Sequence, residues 1–193
     1  MLRFAIYLAL FLSGSFATAQ SSLWQHVTST YHPPRLSAVS VSDSQHKAIS
    51  RLLRRQGKGG LWECEGDELD EMLNGLTFEP IPLSPGRKIL LVQAGQGCAR
   101  GGQGANGAMW LVRFAGKTPV LLASPEEQFN GWLHSIQDSA SHGYRDIVLG
   151  WHMSAFEADL SYFRFDGKTY RRIGTAVSTN DDGDRAKIVP SSH

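Results

Sequence analysis

The stretch Leu160-Ser161-Tyr162-Phe163-Arg164-Phe165-Asp166-Gly167-Lys168-Thr169-Tyr170-Arg171-Arg172-Ile173 reads as a β-hairpin and sets the expectation for the fold. Asp166-Gly167 supplies the two positive-φ positions of a type I′ turn between runs rich in aromatic residues. A two-residue loop would place Phe163 opposite Tyr170, Tyr162 opposite Arg171 and Leu160 opposite Ile173. One side of the hairpin would then be buried and the other wetter. Similar short apolar or alternating runs recur at 77–83, 88–94, 108–114, 119–123, 129–136 and 147–151. Gly, Asn, Asp, Ser and Pro separate them, as turns require. Such a succession predicts an antiparallel sheet of six to eight strands, arranged as a meander, sandwich or partial barrel.

Further toward the N-terminus the texture becomes helical. Over 42–56, Ser42 and Gln45 fit a capping box, and Ile49, Leu52 and Leu53 form an apolar stripe that stops at Gly57-Lys58-Gly59-Gly60. A second helix is expected at 67–73, acidic in its first turn and ended by Asn74-Gly75. The expected fold class is therefore α+β, with N-terminal helices packed on the sheet. The expected organisation is a leader at 1–19, an extended arm at 20–41, a single α+β domain at 42–177 and a polar, frayed tail at 178–193.

The leader reading rests on Met1-Leu2-Arg3, the apolar run from Phe4 to Leu12 and the small-residue site Ala17-Thr18-Ala19. These are the parts of a secretory signal peptide cut after Ala19, and the apolar run is too short to span a bilayer. The expected location is periplasmic or secreted, with no membrane span. The 193 residues carry 19 Lys and Arg against 18 Asp and Glu, with 41% hydrophobic and 19% charged residues. That balance suits a folded domain and excludes the strongly basic surface of nonspecific nucleic-acid binding. Cys64 and Cys98 are the only cysteines, and in an oxidising compartment they are expected to form one disulfide. With no C-x-x-C pair, redox catalysis has no support.

The glycine-rich run from Gly95 to Gly107 is the most conspicuous segment. Gly102, Gly104 and Gly107 match G-x-G-x-x-G, but the residues that follow, Ala108 to Phe114, are patterned as a strand where a dinucleotide site needs a helix. The run reads either as a plain inter-strand loop or as a binding loop presenting Arg100, Gln103 and Asn106. His134, His142 and His152 lack the spacing of a metal set. Ser154 or Ser161 with one of these histidines and Asp146 or Asp159 would make a nucleophilic set only if folding assembled it, and the G-x-S-x-G elbow is absent. Glu63, Glu65, Asp67, Glu68, Asp70 and Glu71 form an acidic face beside the basic run Arg51, Arg54, Arg55 and Lys58. The two runs either pair with each other or mark two sides of a partner surface. Ser178 to Asp184 has the oxygens of a calcium loop but Val189 at the twelfth position. No cofactor, metal set or catalytic residue is expected. Trp24, Trp62, Trp110, Trp132 and Trp151 divide between core and surface in a way that sequence leaves open.

Gly143-Tyr144-Arg145-Asp146-Ile147-Val148-Leu149, followed by Tyr-Phe-Arg-Phe-Asp-Gly-Lys-Thr-Tyr at 162–170, resembles one blade of FG-GAP/VCBS-type propeller repeats. It is also similar to uncharacterised exported bacterial proteins that end in such a hairpin. The acidic calcium loop of those repeats has no counterpart at 137–142, and no second copy follows. The resemblance implies a local antiparallel sheet. The functional expectation is a non-enzymatic binding protein of the periplasm or exterior, more sharply an inhibitor or immunity protein against a cell-wall hydrolase. The alternatives are a small secreted hydrolase and a glycan-binding module. The expected partner is an envelope protein or a glycan, not nucleic acid.

Overall fold

The computed structural model describes residues 22–27, 34–56, 64–95, 98–99, 106–179 and 187–191. The leader at 1–19 lies outside them. Two helices come first, α1 (Asp43–Arg54) and α2 (Gly66–Asn74). The strands follow as β1 (Thr77–Pro80), β2 (Ile89–Gln93), β3 (Gly107–Ala115), β4 (Thr118–Ala123), β5 (Asn130–Ser141), β6 (Tyr144–His152), β7 (Glu157–Phe165), β8 (Tyr170–Thr179) and β9 (Lys187–Pro190). They form one nine-stranded sheet in the order β1-β2-β3-β5-β6-β7-β8-β9, with β4 paired to β3 off that path. Every pairing is antiparallel. The sheet branches at β3, which pairs with β4 over Leu111 to Ala115 and with β5 through Gly107 and Ala108.

That short joint lets the two parts of the sheet face each other. Ile89, Leu91, Met109 and Leu111 from one part share a buried cluster with Ile147, Leu149, Phe163 and Tyr170 from the other. The Arg145 amide donates to the Leu83 carbonyl at 2.7 Å and ties the two together. The alternate residues of β2 and β3, namely Leu90, Val92, Trp110 and Val112, point the other way and meet Ile49, Leu53, Met72 and Leu73 of the helices. On the outer face of β6–β8, Val148, Leu160, Tyr162 and Ala176 are covered by Trp24 and Val27.

The α+β expectation is corrected by this architecture. The chain is a mostly antiparallel β protein built on an open sheet, with β1 and β9 at its edges and few, short helices. Each helix fully buries only two side chains, Ile49 and Leu53 in α1 and Met72 and Leu73 in α2. Two such stripes cannot cover nine strands, so the sheet buries most of its apolar surface against itself. The strand count also exceeds the six to eight expected. Part of the arm expected to be extended forms a helical turn from Ser22 to Trp24, and Trp24 packs edge-on against Tyr162 with ring centroids 5.7 Å apart. In the tail expected to fray, Lys187–Pro190 pairs with β8 as β9.

The hairpin register is corrected as well. Phe165 lies opposite Tyr170, Arg164 opposite Arg171 and Phe163 opposite Arg172, and a bulge then brings Tyr162 opposite Gly174. Asp166 causes the shift. Its carboxylate accepts from the amides of Lys168 and Thr169, both at 2.8 Å, and its own amide donates to the Thr169 carbonyl at 2.9 Å. A four-residue loop results instead of a two-residue one. The two-residue turn with both φ positive occurs at His142-Gly143, between Ser141 and Tyr144.

Candidate functional site: a clamped loop root beside an apolar tip

Of the three residues expected in the glycine-rich loop, Arg100 and Gln103 lie outside the described residues. Asn106 is buried at the start of β3. Its Nδ2 donates to the His152 carbonyl at 3.1 Å, and its Oδ1 accepts from the His152 amide at 2.9 Å. A side-chain amide here substitutes for a strand neighbour, satisfying both backbone groups of the last residue of β6. At the other root of the loop, Cys98 is disulfide-bonded to Cys64, just ahead of α2. Ala99 is fully buried, and its carbonyl accepts from the Ala108 amide at 2.8 Å. The loop therefore leaves and re-enters the fold at fixed points.

His152 leads directly into the β6–β7 tip, Met153-Ser154-Ala155-Phe156. The Glu157 carbonyl accepts from the amides of Met153 and Ser154 at 3.0 and 3.1 Å, and Ser154 Oγ accepts from the Phe156 amide at 3.2 Å. These bonds close the turn and push its two large side chains outward. Met153 is 59% exposed and Phe156 68%. Below the tip, the His152 ring lies 5.2 Å from the Trp132 indole. That indole in turn lies over Gly150, where a Cβ would come within 2.2 Å of its ring.

The candidate catalytic residues do not converge. His134 is 2% exposed, lies 5.3 Å from the Trp132 ring on β5 and pairs its Nδ1 with Ser135 Oγ at 3.1 Å. Burial holds its imidazole down at about 4, so it stays neutral near pH 7. His142 sits in the β5–β6 turn against Phe165. Ser154 is in the β6–β7 tip, where its Oγ accepts from the Phe156 amide, and Ser161 and Asp159 are on β7, whereas His134 is on β5. Among the described residues no three His, Cys, Asp or Glu side chains are arranged to hold a metal ion.

Asp146 has a different role. It is fully buried and accepts from Arg164 through Nη2 at 2.8 Å and Nε at 3.1 Å, and from Ser139 Oγ at 2.8 Å. The Tyr162 hydroxyl lies 2.9 Å from Ser139 Oγ and 3.3 Å from the carboxylate. Burial pushes that phenol up, while the hydrogen bond to Asp146 raises Arg164 further. Three members of the set, Ser139, Tyr162 and Arg164, line an open groove of about 720 Å³ that also includes His26, with Asp146 buried behind them. The charged and hydroxyl groups of the set are used on one another, so it is a closed network rather than a base poised for a substrate. The extra residues Gln137 to Ser139 of β5, bulged opposite Asp146, bring Ser139 there.

The acidic and basic runs near the helices meet in an Arg54–Asp70 ion pair that joins α1 to α2. Of the tryptophans, Trp110 is buried with Nε1 donating to Gln56 at 3.1 Å, Trp24 is buried, Trp132 and Trp151 are half-buried, and Trp62 lies outside the described residues. Sequence reasoning missed the tip. The available signal was two large apolar side chains, Met153 and Phe156, flanking Ser-Ala between two strands. No helix of the described residues is long and apolar enough to cross a membrane. Compared with models of protein families, with curated proteins and with solved structures, the chain matches none.

Proposed function

We propose that this is a non-enzymatic binding protein of the cell envelope whose partner is a protein, a cell-wall hydrolase that it inhibits. The contact surface is the glycine-rich loop together with the β6–β7 tip. One observation carries the reading, the Asn106 clamp on His152, which fixes the loop root beside two exposed apolar side chains. A hydrogen-bonded turn has little backbone freedom left to lose on binding, and its large apolar side chains can desolvate fully inside a partner pocket, as interface anchors do. The Cys64–Cys98 disulfide and the leader sequence support a place outside the cytoplasm.

The test starts with affinity capture by the disulfide-bonded protein from an envelope extract, followed by an assay of peptidoglycan lysis by the captured hydrolase. Met153→Ser with Phe156→Ser, and separately Arg100→Ala with Gln103→Ala, should each weaken inhibition at least tenfold. Melting temperature should hold in both. Inhibition that survives all four substitutions, or an absence of any inhibited hydrolase, sinks the reading.

A further inference from the structure

A second cleft opens on the sheet near the tip, and its chemistry differs from that of the groove at Ser139, Tyr162 and Arg164. Trp151 pairs with Asp159, and Leu149 pairs with Ser161. Trp151 and Asp159 thus continue the face on which Leu149 enters the central core, but beyond the point where the opposing strands cover it. The 3₁₀ turn Pro125–Glu127 and the start of β5 form the facing wall, contributing Gln128 and Asn130. Gln128 is held at φ +63, in the left-handed region that a non-glycine residue seldom adopts. The space enclosed is about 510 Å³, within the range of ordinary small-ligand sites.

Five polar side chains on the wall of this cleft are unused among the described residues. The side chains of Gln128, Asn130, Asp159, Ser161 and Arg172 make no hydrogen bond or ion pair with one another or with other described residues. Planar amide, carboxylate and guanidinium groups can each offer two parallel hydrogen bonds. With one acid and one base, Asp159 and Arg172, the wall has no net charge to select an ion. The half-buried indole of Trp151 supplies a flat apolar surface with a polar edge. A sugar ring has the matching anatomy, an apolar face of C–H groups bounded by a rim of hydroxyls.

We propose that this cleft binds a neutral saccharide chain, stacked on Trp151 and held by its hydroxyls to Asp159, Arg172, Asn130 and Gln128. The cleft is open at its side, which admits internal units of a chain as well as its end. The site does not depend on the protein-partner reading, since none of its residues belongs to the glycine-rich loop or to the tip. A protein can lose either property and keep the other.

The test is isothermal titration of the disulfide-bonded protein with chitotetraose and with cellotetraose, with tryptophan emission followed in parallel. The expected result is saturable binding of at least one of them at millimolar concentration or below, with a change in emission. Trp151→Ala and Asp159→Asn should each weaken that binding at least tenfold. Asp159 is exposed and partnerless among the described residues, so its variant keeps the fold even if Trp151→Ala does not. Two results overturn the proposal. One is no heat and no emission change with either oligosaccharide at millimolar concentration. The other is binding that Asp159→Asn leaves unchanged.

Discussion

Asp146 shows how much a single buried residue depends on its neighbours. A fully buried carboxylate is tolerable only when its charge and lone pairs are met, and Arg164, Ser139 and Tyr162 do this. Arg164→Ala would leave the charge without its counterion. Because the guanidinium is itself partly wet, the loss falls near the low end for such pairs, about 3 kcal/mol. The shift of the urea midpoint measures it, and a shift below about 1 kcal/mol would mean that water or a neighbour replaces the arginine. His134 gives a pH-dependent counterpart. Its imidazole titrates at about 4 in the fold and near 6.5 when unfolded, so the unfolded chain binds more protons between those values. Its contribution is present above pH 6.5 and is lost as pH falls toward 4. From pH 7 to 4.5 the protein should lose about 2–3 kcal/mol that His134→Gln does not lose. Parallel pH profiles of the two proteins would dismiss the histidine. Asn106 was legible as a candidate in sequence, but its work as a clamp was not, because His152 is distant in the chain.

At the scale of elements, capping was the most legible feature. Ser42 and Gln45 form the capping box that their spacing predicts, since that motif is complete within four consecutive residues. The hairpin at Asp166 was placed correctly and paired wrongly. Asp-Gly favours a type I′ turn, yet the same aspartate can bind the two amides that follow it, and here it does. Those amides, with Thr169 leading, hold the Asp166 carboxyl below the usual range. The β5–β6 pair was less legible still, because its bulges at His134 and at 137–139 leave no mark in an alternation pattern. Gly150 records a close approach in that pair. A Cβ there would collide with the Trp132 ring, which has His134 and His152 against it. Gly150→Ala should cost about 2–3 kcal/mol and disturb the near-ultraviolet signal of Trp132. An alanine variant with unchanged midpoint and spectrum would show that the indole is free to move aside.

For the whole molecule, the antiparallel sheet was legible because strands of this kind carry local turn and alternation signals. The balance between helix and sheet was not, since it depends on which surface covers which. Leu90 and Leu91 look alike in sequence, yet one faces the helices and the other the opposing strands. A strand apolar on both faces suits a sheet covered by helices as well as one folded toward itself, and only the tertiary pairing decides between them. The disulfide acts at this same scale. Cys64 and Cys98 lie 34 residues apart, and the bridge joins the entry to α2 with the root of the loop that precedes β3. Breaking it frees that span in the unfolded chain, a change worth about 3.5–4 kcal/mol on the chain-entropy account. The three apolar clusters draw little on the bridge itself, with Cys64 buried in only one of them. Cys64→Ser with Cys98→Ser should therefore keep the far-ultraviolet spectrum of the sheet and fall in urea midpoint by that amount. The tip variants, by contrast, should leave the midpoint in place. If the double serine variant instead loses the sheet, the bridge is required to assemble the fold and does more than restrain the unfolded chain.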